Sequence, residues 1–453
     1  MSRAFHTLHL AFTIPFVTLV GNHDRRDACI EAFKAAPRNR HLDVTRIDQT
    51  CCHGQAIRSV SRMITFGTIA AVVCLAGFGL HLLTTAQAWR RCRLRRRSAN
   101  NKLYQNGNAL PVSIIRPVRG VDPCDEITLR SGFALEHPAF EMIFCCADAN
   151  DPAVELVQRL MAEHPHVSAH LLIGADHSTA NPKLNNIVKG WKAAIHEWIV
   201  IADCNVLMPA DYVQRMFDAW QPETGLVCSP PIGSMPQGFW AEVECAFLNT
   251  YQARWQYAAD SLGFGFAQGK SMLWRRTTLE NAGGIRALSA EIAEDAAATK
   301  IVRKQGLRVH LVGRPFEQPL GQRSSQQLWT RQVRWARLRR VTFAAYFVPE
   351  ILTCSWISIG AGIIAADNAD LHPAFAAIGL LLVWYGSEAL LARSAGWHLT
   401  KLSPAAWLCR DSLIPAVWVA GWVGSSFNWR GNDMRATRQV GTDVNLTALS
   451  SKL

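Results

Sequence analysis

The segment FEMIFCCADANDPAVELVQRLMAEH, residues 140–164, contains the pattern from which the fold class follows. Its first part, residues 140–148, begins with a continuous apolar run that is typical of a buried strand. From Pro152 onward the pattern becomes that of an amphipathic helix, with Asp151 as its expected N-cap. This leaves Asp148 without a role in the turn. Because ligands bind at the carboxyl ends of strands in open α/β sheets, Asp148 is a candidate site residue.

The alternation of strand and helix continues through the middle of the chain. Apolar, β-branched runs predict strands at 112–118, 140–148, 167–174, 197–203, 225–232, 271–276 and 307–313. Helical patterns lie between them at 152–164, 184–195, 210–220 and 293–305. This order predicts an α/β fold with a mostly parallel, Rossmann-like sheet. Neither G-x-G-x-x-G after a strand nor G-x-x-x-x-G-K-[ST] occurs, so no dinucleotide fingerprint or Walker loop is present.

Hydrophobic segments near both ends of this domain are long enough to cross a membrane. The clearest is 64–89, which has no charged side chain and precedes six arginines in residues 90–97. About 20 apolar residues span a bilayer, and the positive-inside tendency places those arginines in the cytoplasm. Three further candidates lie at 343–366, 374–392 and 404–427. Arg410 and Asp411 interrupt the last, so we expect two to three C-terminal spans.

These features divide the chain into five expected segments. They are a poorly patterned extension (1–62), a membrane helix with its basic flank (63–97), a cytosolic α/β domain (98–342), the C-terminal membrane helices (343–430) and a polar tail (431–453). Met63 directly precedes the first span, so one interpretation of the extension is a misplaced start of translation. We expect an integral, multi-pass protein, most simply of a bacterial inner membrane, with its soluble domain facing the cytoplasm.

Charge and cysteine content narrow the expected partners. The formal net charge is +12, but the basic residues cluster beside apolar spans. Anionic lipid headgroups are therefore the expected partners, and nucleic acid is not. The 13 cysteines include no C-x-x-C pair. Reduced thiols without a zinc site are expected.

A second strand ends in a possible cation site. The sequence ADCNVLMP at 202–209 places Asp203 and Asn205 one residue apart, so both oxygens lie on one face of an extended segment. Mg²⁺ and Mn²⁺ commonly take one or two protein oxygens and the phosphates of a substrate. The alternative is a turn at the end of the strand that caps the following helix. The pattern alone leaves both interpretations open.

Two later segments add an acid and an arginine cluster. Asp295, beside Glu294 in SAEIAEDAAATK, is a candidate general base, although acids at a helix start also stabilise the helix. Residues 324–340 predict a helix that carries Arg331, Arg334 and Trp335. A guanidinium can bind a diphosphate and an indole offers a flat face with one N–H donor. For the later arginines of this helix, contact with lipid headgroups is the simpler interpretation.

Together, Asp148, Asp203, Asp295 and RQVRW at 331–335 resemble the D, D, D, (Q/R)-x-x-R-W pattern of membrane-bound inverting glycosyltransferases with a GT-A fold. More narrowly, the chain resembles the ceramide glucosyltransferases of glycosyltransferase family 21. The similar stretches are VSIIRPVRGVDP (112–123), DANDPA (148–153), NPKLNN (181–186), PQGFWA (236–241), AEDAAATK (293–300) and RQVRWARLR (331–339). The resemblance covers about residues 64–430.

The resemblance implies a role for each acid. Asp148 would hold the uridine of a UDP-sugar, and Asp203 would bind a divalent cation, Mg²⁺ or Mn²⁺, on its diphosphate. Many relatives carry D-x-D where this chain has Asp203-Cys204-Asn205, so Asn205 brings a weaker ligand to the metal. Asp295 would be the catalytic base.

The remaining residues implied by the resemblance surround the donor. Arg334 and Trp335, with Arg331 beside them, would stabilise the departing diphosphate. Arg116 and Lys183 are further expected donor contacts, and for Lys183 a solvated surface position is the alternative. The implied reaction is transfer of glucose from UDP-glucose to the primary hydroxyl of ceramide, with inversion to a β-glycoside. It makes the chain a UDP-sugar-dependent hexosyltransferase.

The sequence indicates the lipid acceptor less closely than it indicates the sugar donor. Residues 239–266 are rich in aromatic residues, and they predict either an interfacial helix along a lipid groove or an ordinary core helix. A hopanoid or diacylglycerol acceptor would need the same acids, and so would a glycosyltransferase that uses galactose or glucuronic acid. A non-catalytic membrane protein that binds sugar nucleotides is the alternative from another functional class.

Overall fold

The computed structural model describes residues 47–94, 109–174, 176–424, 426–429 and 432–435. The chain divides into residues 1–64 and 65–453. In the first unit the described part is the beginning of one helix. Most of the expected extension, the end of the basic flank and the last part of the polar tail lie outside the described residues.

The described elements alternate along the chain as expected for an α/β protein. The helices are α1 Ile47–Leu94, α2 Asp125–Ser131, α3 Pro152–Glu163, α4 Pro182–Ala193, α5 Tyr212–Asp218, α6 Phe239–Ala246, α7 Arg254–Ser261, α8 Arg276–Glu280, α9 Glu294–Lys304, α10 Ser325–Thr342, α11 Ala344–Phe347, α12 Ser355–Asn368, α13 Pro373–Ala395 and α14 Ser403–Trp422. The strands are β1 Val112–Pro117, β2 Phe140–Cys146, β3 Ala169–Ile173, β4 Trp198–Ala202, β5 Thr224–Cys228, β6 Ile232–Gln237, β7 Ser271–Arg275, β8 Arg308–Leu311, β9 Glu317–Gln322, β10 Ser426–Trp429 and β11 Asn432–Arg435.

Seven strands form the central sheet, in the order β3-β2-β1-β4-β7-β5-β8. All neighbouring pairs are parallel except those that include β7, which runs antiparallel to β4 and to β5. The seven strands predicted from the sequence are those of this sheet. The prediction of an α/β fold with a mostly parallel sheet is confirmed.

The sheet is buried on both faces because helices cover each side. Ile115 of β1 lies between Ile143 and Ile201 of its neighbours and belongs to a cluster that includes residues of α4. The adjacent Ile114 belongs to a second cluster, which includes residues of α3. Successive side chains of a strand point to opposite faces, so each strand contributes to both clusters. This explains why the strands are continuously apolar in sequence.

A second, smaller sheet was not predicted. Strands β6 and β9 pair in parallel, with Ile232 opposite Glu317 and Gln237 opposite Gln322. Leu207, after β4, also forms a bridge with Glu317. The small sheet therefore connects the loop after β4 to the start of α10.

The aromatic segment after β6 forms buried helix. Helices α6 and α7 are joined by a π-helical stretch, Phe247–Ala253, and most of its side chains are buried. Phe247 and Tyr251 pack with Trp384 of α13 and Ile414 of α14. These contacts pack residues of α6 and of the π-helical stretch against α13 and α14, and the interpretation of residues 239–266 as an interfacial helix along a lipid groove stays a prediction.

Two described helices are long and apolar enough to cross a membrane: α13, and residues Phe66–Arg93 of α1. The stretches Ala344–Thr353 and Ser355–Asn368 pass the same test only as a pair, bent by 47°. Helix α14, which contains most of the third expected C-terminal span, is not among them. These helices identify a membrane protein.

The charges that interrupt the last apolar segment are paired inside the protein. Arg410 donates to Glu388 of α13 at 2.9 and 3.0 Å and to Asp411 at 2.8 Å. It also donates to Thr250 Oγ1 at 2.9 Å. All three charged side chains are at most 2% exposed. Buried charges among apolar helices are expected to pair in this way, and here they connect α13 and α14 to the π-helical stretch.

Candidate active site

The topology of the sheet brings the site residues to one edge. Asp148 and Asp203 follow the parallel strands β2 and β4, whose carboxyl ends lie on the same side of the sheet. Strand β7 is antiparallel to β4, with Ser271 opposite Ala202, so the residues just before β7 reach the same edge. The backbone N–H of Asp203 donates to the carbonyl of Lys270 at 3.0 Å.

Asp203 is bound by two lysines. Lys183 Nζ lies 2.6 Å from Oδ1 of Asp203, and Lys270 Nζ lies 2.9 Å from its Oδ2. Lys270 Nζ also donates to Asn205 Oδ1 at 3.2 Å. Burial alone would raise the pKa of Asp203, but the two ammonium groups outweigh it and hold this pKa well below its usual range. Asp203 is therefore ionised at any pH near neutrality.

Lys183 is held in place by the start of α4. Asn181 caps this helix by accepting hydrogen bonds from the backbone N–H groups of Lys183 and Leu184. Lys183 Nζ contacts Glu294 Oε1 at 2.6 Å and the carbonyl of Gly269 at 2.8 Å. Although burial lowers the pKa of Lys183, the carboxylates of Asp203 and Glu294 raise it above its ordinary value. The alternative of a solvated surface lysine does not describe this residue.

Gly269 leaves room for a group of charged and polar side chains to pack together. This group, here called the Asp203 cluster, consists of Lys183, Asp203, Asn205, Lys270, Glu294 and Asp295. A Cβ at this position would stand 3.0 Å from Glu294 Oε1 and 3.3 Å from Lys183 Nζ, and it would crowd both. The Asn181 side chain donates to the second oxygen of Glu294 at 3.0 Å. The segment before β7 is thus packed directly against the start of α9.

Asp295 lies in the same cluster, with a pKa suited to a base. Its Oδ2 accepts from the backbone N–H of Gly269 at 3.3 Å, and its Oδ1 accepts from that of Ala296 at 2.8 Å. Burial, followed by the negative charge of Glu294, raises the pKa of Asp295 to about 6. A carboxyl group with this pKa is half ionised near pH 6 and can accept a proton at neutral pH.

Arg116 acts on the site through the backbone. Its guanidinium is fully buried and donates to the carbonyls of Asp203 at 3.1 Å, Cys204 at 2.9 Å and Val206 at 3.0 Å. It donates to the carbonyl of Thr128 as well, at 2.8 Å. These bonds fix the loop that carries Asp203 and Asn205. The structure therefore gives Arg116 a positioning role rather than the direct donor contact expected from the sequence.

Asp148 is exposed at the carboxyl end of β2. Its Oδ1 accepts from the backbone N–H of Asn150 at 2.9 Å, which shapes the turn. Asp151 is the N-cap of α3, as predicted, and also accepts from the backbone N–H of Gly120. Asp148 is thus accessible, but it also has a role in the turn that the sequence pattern did not assign to it. Asp151 caps the helix as predicted.

The arginine and tryptophan motif lies on α10. Arg331 is paired with the fully buried Glu244 of α6, which also binds Arg323 at 3.2 Å. Trp335 packs against Cys245, Leu248 and Leu320. Arg334 is half-buried on the same helix. Of the predicted residues, the structure thus groups Lys183, Asp203, Asn205 and Asp295, and it anchors the motif on α10 against α6 and β9.

Two members of the cluster were not selected from the sequence. Glu294 was noted only as the neighbour of Asp295, and Lys270 occurs in FAQGKS, which lacks the rest of a Walker loop. Lys270 could have been found from the strand order, because a strand antiparallel to β4 must begin beside Asp203. That order is a long-range property, which the local pattern does not contain.

The predicted metal ligands do not form a metal site in this arrangement. Within the described ranges, no three His, Cys, Asp or Glu side chains gather as metal ligands. Of the two predicted oxygen ligands, Asp203 contacts both lysines and Asn205 contacts one. A divalent cation on these oxygens would stand beside ammonium groups of the same sign, which repel it. The donor set therefore fits a lysine better than a metal ion.

Comparison with known proteins identifies relatives over most of the chain. Ceramide glucosyltransferase 3 of Caenorhabditis elegans is 25% identical over 343 residues, which is 74% of either chain. Ceramide glucosyltransferase of Komagataella phaffii is 26% identical and covers 72% of this chain and 82% of its own length.

Solved structures include more distant similarities. A mannosyltransferase from Pyrobaculum calidifontis, in complex with GDP-mannose and Mn²⁺, is 19% identical with a TM-score of 0.45, covering 79% of this chain and 99% of its own. TarS of S. aureus, in complex with UDP-GlcNAc, is 11% identical with a TM-score of 0.33, covering 73% of this chain and 98% of its own.

The family assignment rests on the greater part of the sequence. The model of "Glycosyl transferase family 21" matches residues 69–441. This range contains the whole central sheet, the Asp203 cluster and the motif on α10. The sheet, mostly parallel with one antiparallel strand, agrees with the GT-A-type fold implied by the sequence motifs. The chain belongs to glycosyl transferase family 21.

Proposed function

We propose that this glycosyltransferase transfers glucose from UDP-glucose to the primary hydroxyl of ceramide, with inversion, and forms β-glucosylceramide. The observation that carries the proposal is Asp295, whose raised pKa and position beside the Asp203 cluster suit a base next to a diphosphate. The choice of glucose and ceramide follows the names of the relatives in C. elegans and K. phaffii.

The reaction is a single displacement. The carboxylate of Asp295 accepts the proton of the lipid hydroxyl while the hydroxyl oxygen attacks the anomeric carbon. The bond between that carbon and the β-phosphate oxygen breaks, and its electron pair leaves with UDP. Attack from the face opposite UDP converts the α-linked sugar into a β-glycoside. Each proton and electron pair is thereby accounted for without a redox step.

The donor is held by residues on two elements of the site. Asp148, exposed after β2, would bind the uridine, and Lys183 would face the diphosphate from α4. Arg116 supports these contacts indirectly by holding the loop after β4. Arg334 and Trp335 on α10 would complete the diphosphate site, with Arg331 keeping α10 against α6 through Glu244. Preorganised charges of this kind stabilise a leaving group effectively.

The lipid acceptor would enter beside α10. A cavity there is lined mainly by apolar side chains of the π-helical stretch and of α14, among them Phe247, Ile414 and Val417. Gln332 also lines it and is only 2% exposed, and its Nε2 has no hydrogen-bond partner among the described residues. Gln252 and the paired Arg339 and Glu350 line it as well, and it has room for about one water molecule, so it would have to widen to admit the polar neck of a lipid.

The orientation in the membrane is also proposed. We expect residues 98–342 to form the cytosolic catalytic domain between membrane helices at 63–97 and 343–430, in a multi-pass arrangement. The six arginines after the first span favour this orientation. The expected bacterial inner membrane has no support from the relatives, which are from a nematode and from fungi.

Product analysis tests the proposal. Membranes that contain the full chain are incubated with UDP-glucose and either ceramide or diacylglycerol, and lipids are identified by mass spectrometry. Hexosylceramide that disappears in Asp295→Asn is the expected result. Product on diacylglycerol alone would support glycosyl transfer but show that the acceptor is diacylglycerol and not ceramide. A higher rate with UDP-galactose or UDP-glucuronic acid would show that the transferred sugar is not glucose. Absence of product with every donor would contradict the proposal.

A further inference from the structure

The oxygens that the sequence pattern assigns to a divalent cation are already bound to ammonium groups. Lys270 Nζ bridges Asp203 Oδ2, at 2.9 Å, and Asn205 Oδ1, at 3.2 Å. Lys183 Nζ binds the other oxygen of Asp203 at 2.6 Å. Each carboxylate oxygen of Asp203 therefore has a cationic partner within hydrogen-bond distance.

The position of Lys270 is determined by the backbone. Its carbonyl accepts from the N–H of Asp203 at 3.0 Å, where β7 begins antiparallel to the end of β4. Residue 270 therefore stands opposite residue 203 as a consequence of the sheet. The Lys270 side chain is 22% exposed, against 12% for Lys183, so it is the more accessible of the two side chains.

The two ammonium groups disfavour a metal ion because they lie directly on the oxygens of Asp203. Lys183 and Lys270 balance Asp203 and Glu294, and ionised Asp295 gives the five residues a net charge of −1, so it is the local contacts and not the total charge that exclude the ion. Mg²⁺ requires oxygen ligands at about 2.0–2.1 Å in near-octahedral geometry, and Lys270 occupies the oxygens that would begin such a set. A nucleoside diphosphate, in contrast, is an anion and is attracted by an ammonium group that is already fixed in place.

We propose that Lys270 takes the place of the divalent cation in this chain. Its ammonium, held by Asp203 and Asn205, binds the diphosphate of the nucleotide-sugar donor and offsets the negative charge that develops on it. The inference rests on the proposed function, since it requires a donor of this class. The acceptor proton goes to Asp295, and the electron pair of the broken bond stays on the diphosphate.

The first test is the dependence on metal of the unmodified protein. Transfer from UDP-glucose, measured in the presence of EDTA, is expected to stay within about twofold of the rate with Mg²⁺ or Mn²⁺. Loss of transfer in EDTA that either ion restores would overturn the inference and leave the proposed function standing. This experiment needs no variant, so it does not depend on how a substitution folds.

The second test replaces the ammonium. In EDTA, Lys270→Met is expected to lower kcat/KM for the donor by about 100-fold, the usual effect of removing one preorganised donor. Mn²⁺ is expected to restore part of the rate, because Asp203 and Asn205 are then open to it. Lys270→Arg keeps a cation and is expected to retain more activity in EDTA than Lys270→Met does. Lys192→Met is the matched control, because Lys192 is exposed on α4.

Binding gives a readout that is independent of turnover. Calorimetry with UDP in EDTA should show binding to the unmodified protein and to Lys192→Met, and much weaker binding to Lys270→Met. Electron paramagnetic resonance should detect bound Mn²⁺ with UDP only in Lys270→Met. Equal UDP affinity in all three proteins, or tight Mn²⁺ binding to the unmodified protein, would overturn the inference. Absence of transfer under every condition would instead reject the proposed function, and these binding results would still decide the role of Lys270.

Discussion

The rate of sugar transfer is expected to depend on pH through Asp295. Burial and the charge of Glu294 raise the pKa of Asp295 to about 6, and a base is active in its ionised form. Activity should therefore rise with pH through this value and level off above it. A group with this pKa is about 9% ionised at pH 5 and about 91% ionised at pH 7, so the rate at pH 5 should be about a tenth of that at pH 7.

Asp203 and Lys183 should not produce this change. The pKa of Asp203 is held well below this range and that of Lys183 is raised above it, so neither residue changes its charge between pH 5 and 7. Asp295→Asn removes the base and is expected to lower kcat by about 10²–10⁴-fold. Its remaining activity should not rise through pH 6 as that of the unmodified protein does.

The variant Glu294→Gln tests whether the charge of Glu294 raises the pKa of Asp295. It removes a negative charge beside Asp295 and also releases Lys183, which contacts Glu294 at 2.6 Å. Both changes favour the ionised form of Asp295, so the midpoint of the pH profile should move to lower pH. The assay is kcat/KM for the donor, measured in detergent micelles at fixed ionic strength between about pH 4.5 and 8.5.

A matched control separates this effect from a general loss of charge. Glu291→Gln makes the same change three residues earlier, where the carboxylate binds Lys300 at 2.5 Å. Its pH profile should match that of the unmodified protein. A midpoint near pH 4 in the unmodified protein, the ordinary range of an aspartate, would refute the argument from burial. A midpoint that Glu294→Gln leaves in place would refute the argument from charge.

Two further predictions concern the donor and acceptor sides. Lys183→Met leaves Glu294, which is only 9% exposed, without its ammonium partner, and removal of one member of a buried pair costs about 3–5 kcal/mol. Thermal unfolding of the purified protein should show this loss of stability, and KM for the donor should rise. Recovery of stability in Lys183→Met/Glu294→Gln would confirm that the unpaired Glu294 carboxylate causes the loss. An unchanged unfolding temperature in Lys183→Met would contradict this prediction. Gln332→Leu should raise KM for ceramide by about tenfold and leave KM for the donor unchanged. The Nε2 of Gln332, which has no hydrogen-bond partner among the described residues, would no longer bind the amide carbonyl of a lipid that widens the cavity. Gln326→Leu, an exposed position of the same helix, is its control, and an equal effect of the two substitutions would exclude a specific contact.

The central sheet was predictable because its signal is local. Its strands other than the edge strand β3 are buried on both faces and are therefore mostly short apolar runs, as in residues 140–146. Strands β6 and β9 lack this signal: their sequences, IGSMPQ and EQPLGQ, contain proline, glycine and glutamine. They become strands by pairing with each other across about 80 residues of chain, which a local pattern cannot reveal.

The difference between local patterns and long-range contacts also explains which site residues were predicted from the sequence. Asp148 and Asp203 are the last residues of two predicted strands, so the end of a strand was enough to select them. The pairing of Lys183 with Glu294 joins residues separated by 111 positions, and that of Lys270 with Asp203 joins residues separated by 67. The acids were therefore predictable from motifs, but the charges that surround them were not.

These surrounding charges change the chemistry that a motif implies. An aspartate after a strand binds a divalent cation only if its oxygens are free, and here the antiparallel start of β7 delivers an ammonium to them. A lysine supplies one charge where a metal supplies two, so it offsets less of the charge on a departing diphosphate. Other cations near the donor, such as Lys183 and, as proposed, Arg334 on α10, must therefore offset the remaining charge. We expect loss of Arg334 to lower the transfer rate of the unmodified protein in EDTA by a larger factor than it lowers the rate of Lys270→Met in Mn²⁺, because in the second case the metal ion offsets part of the same charge.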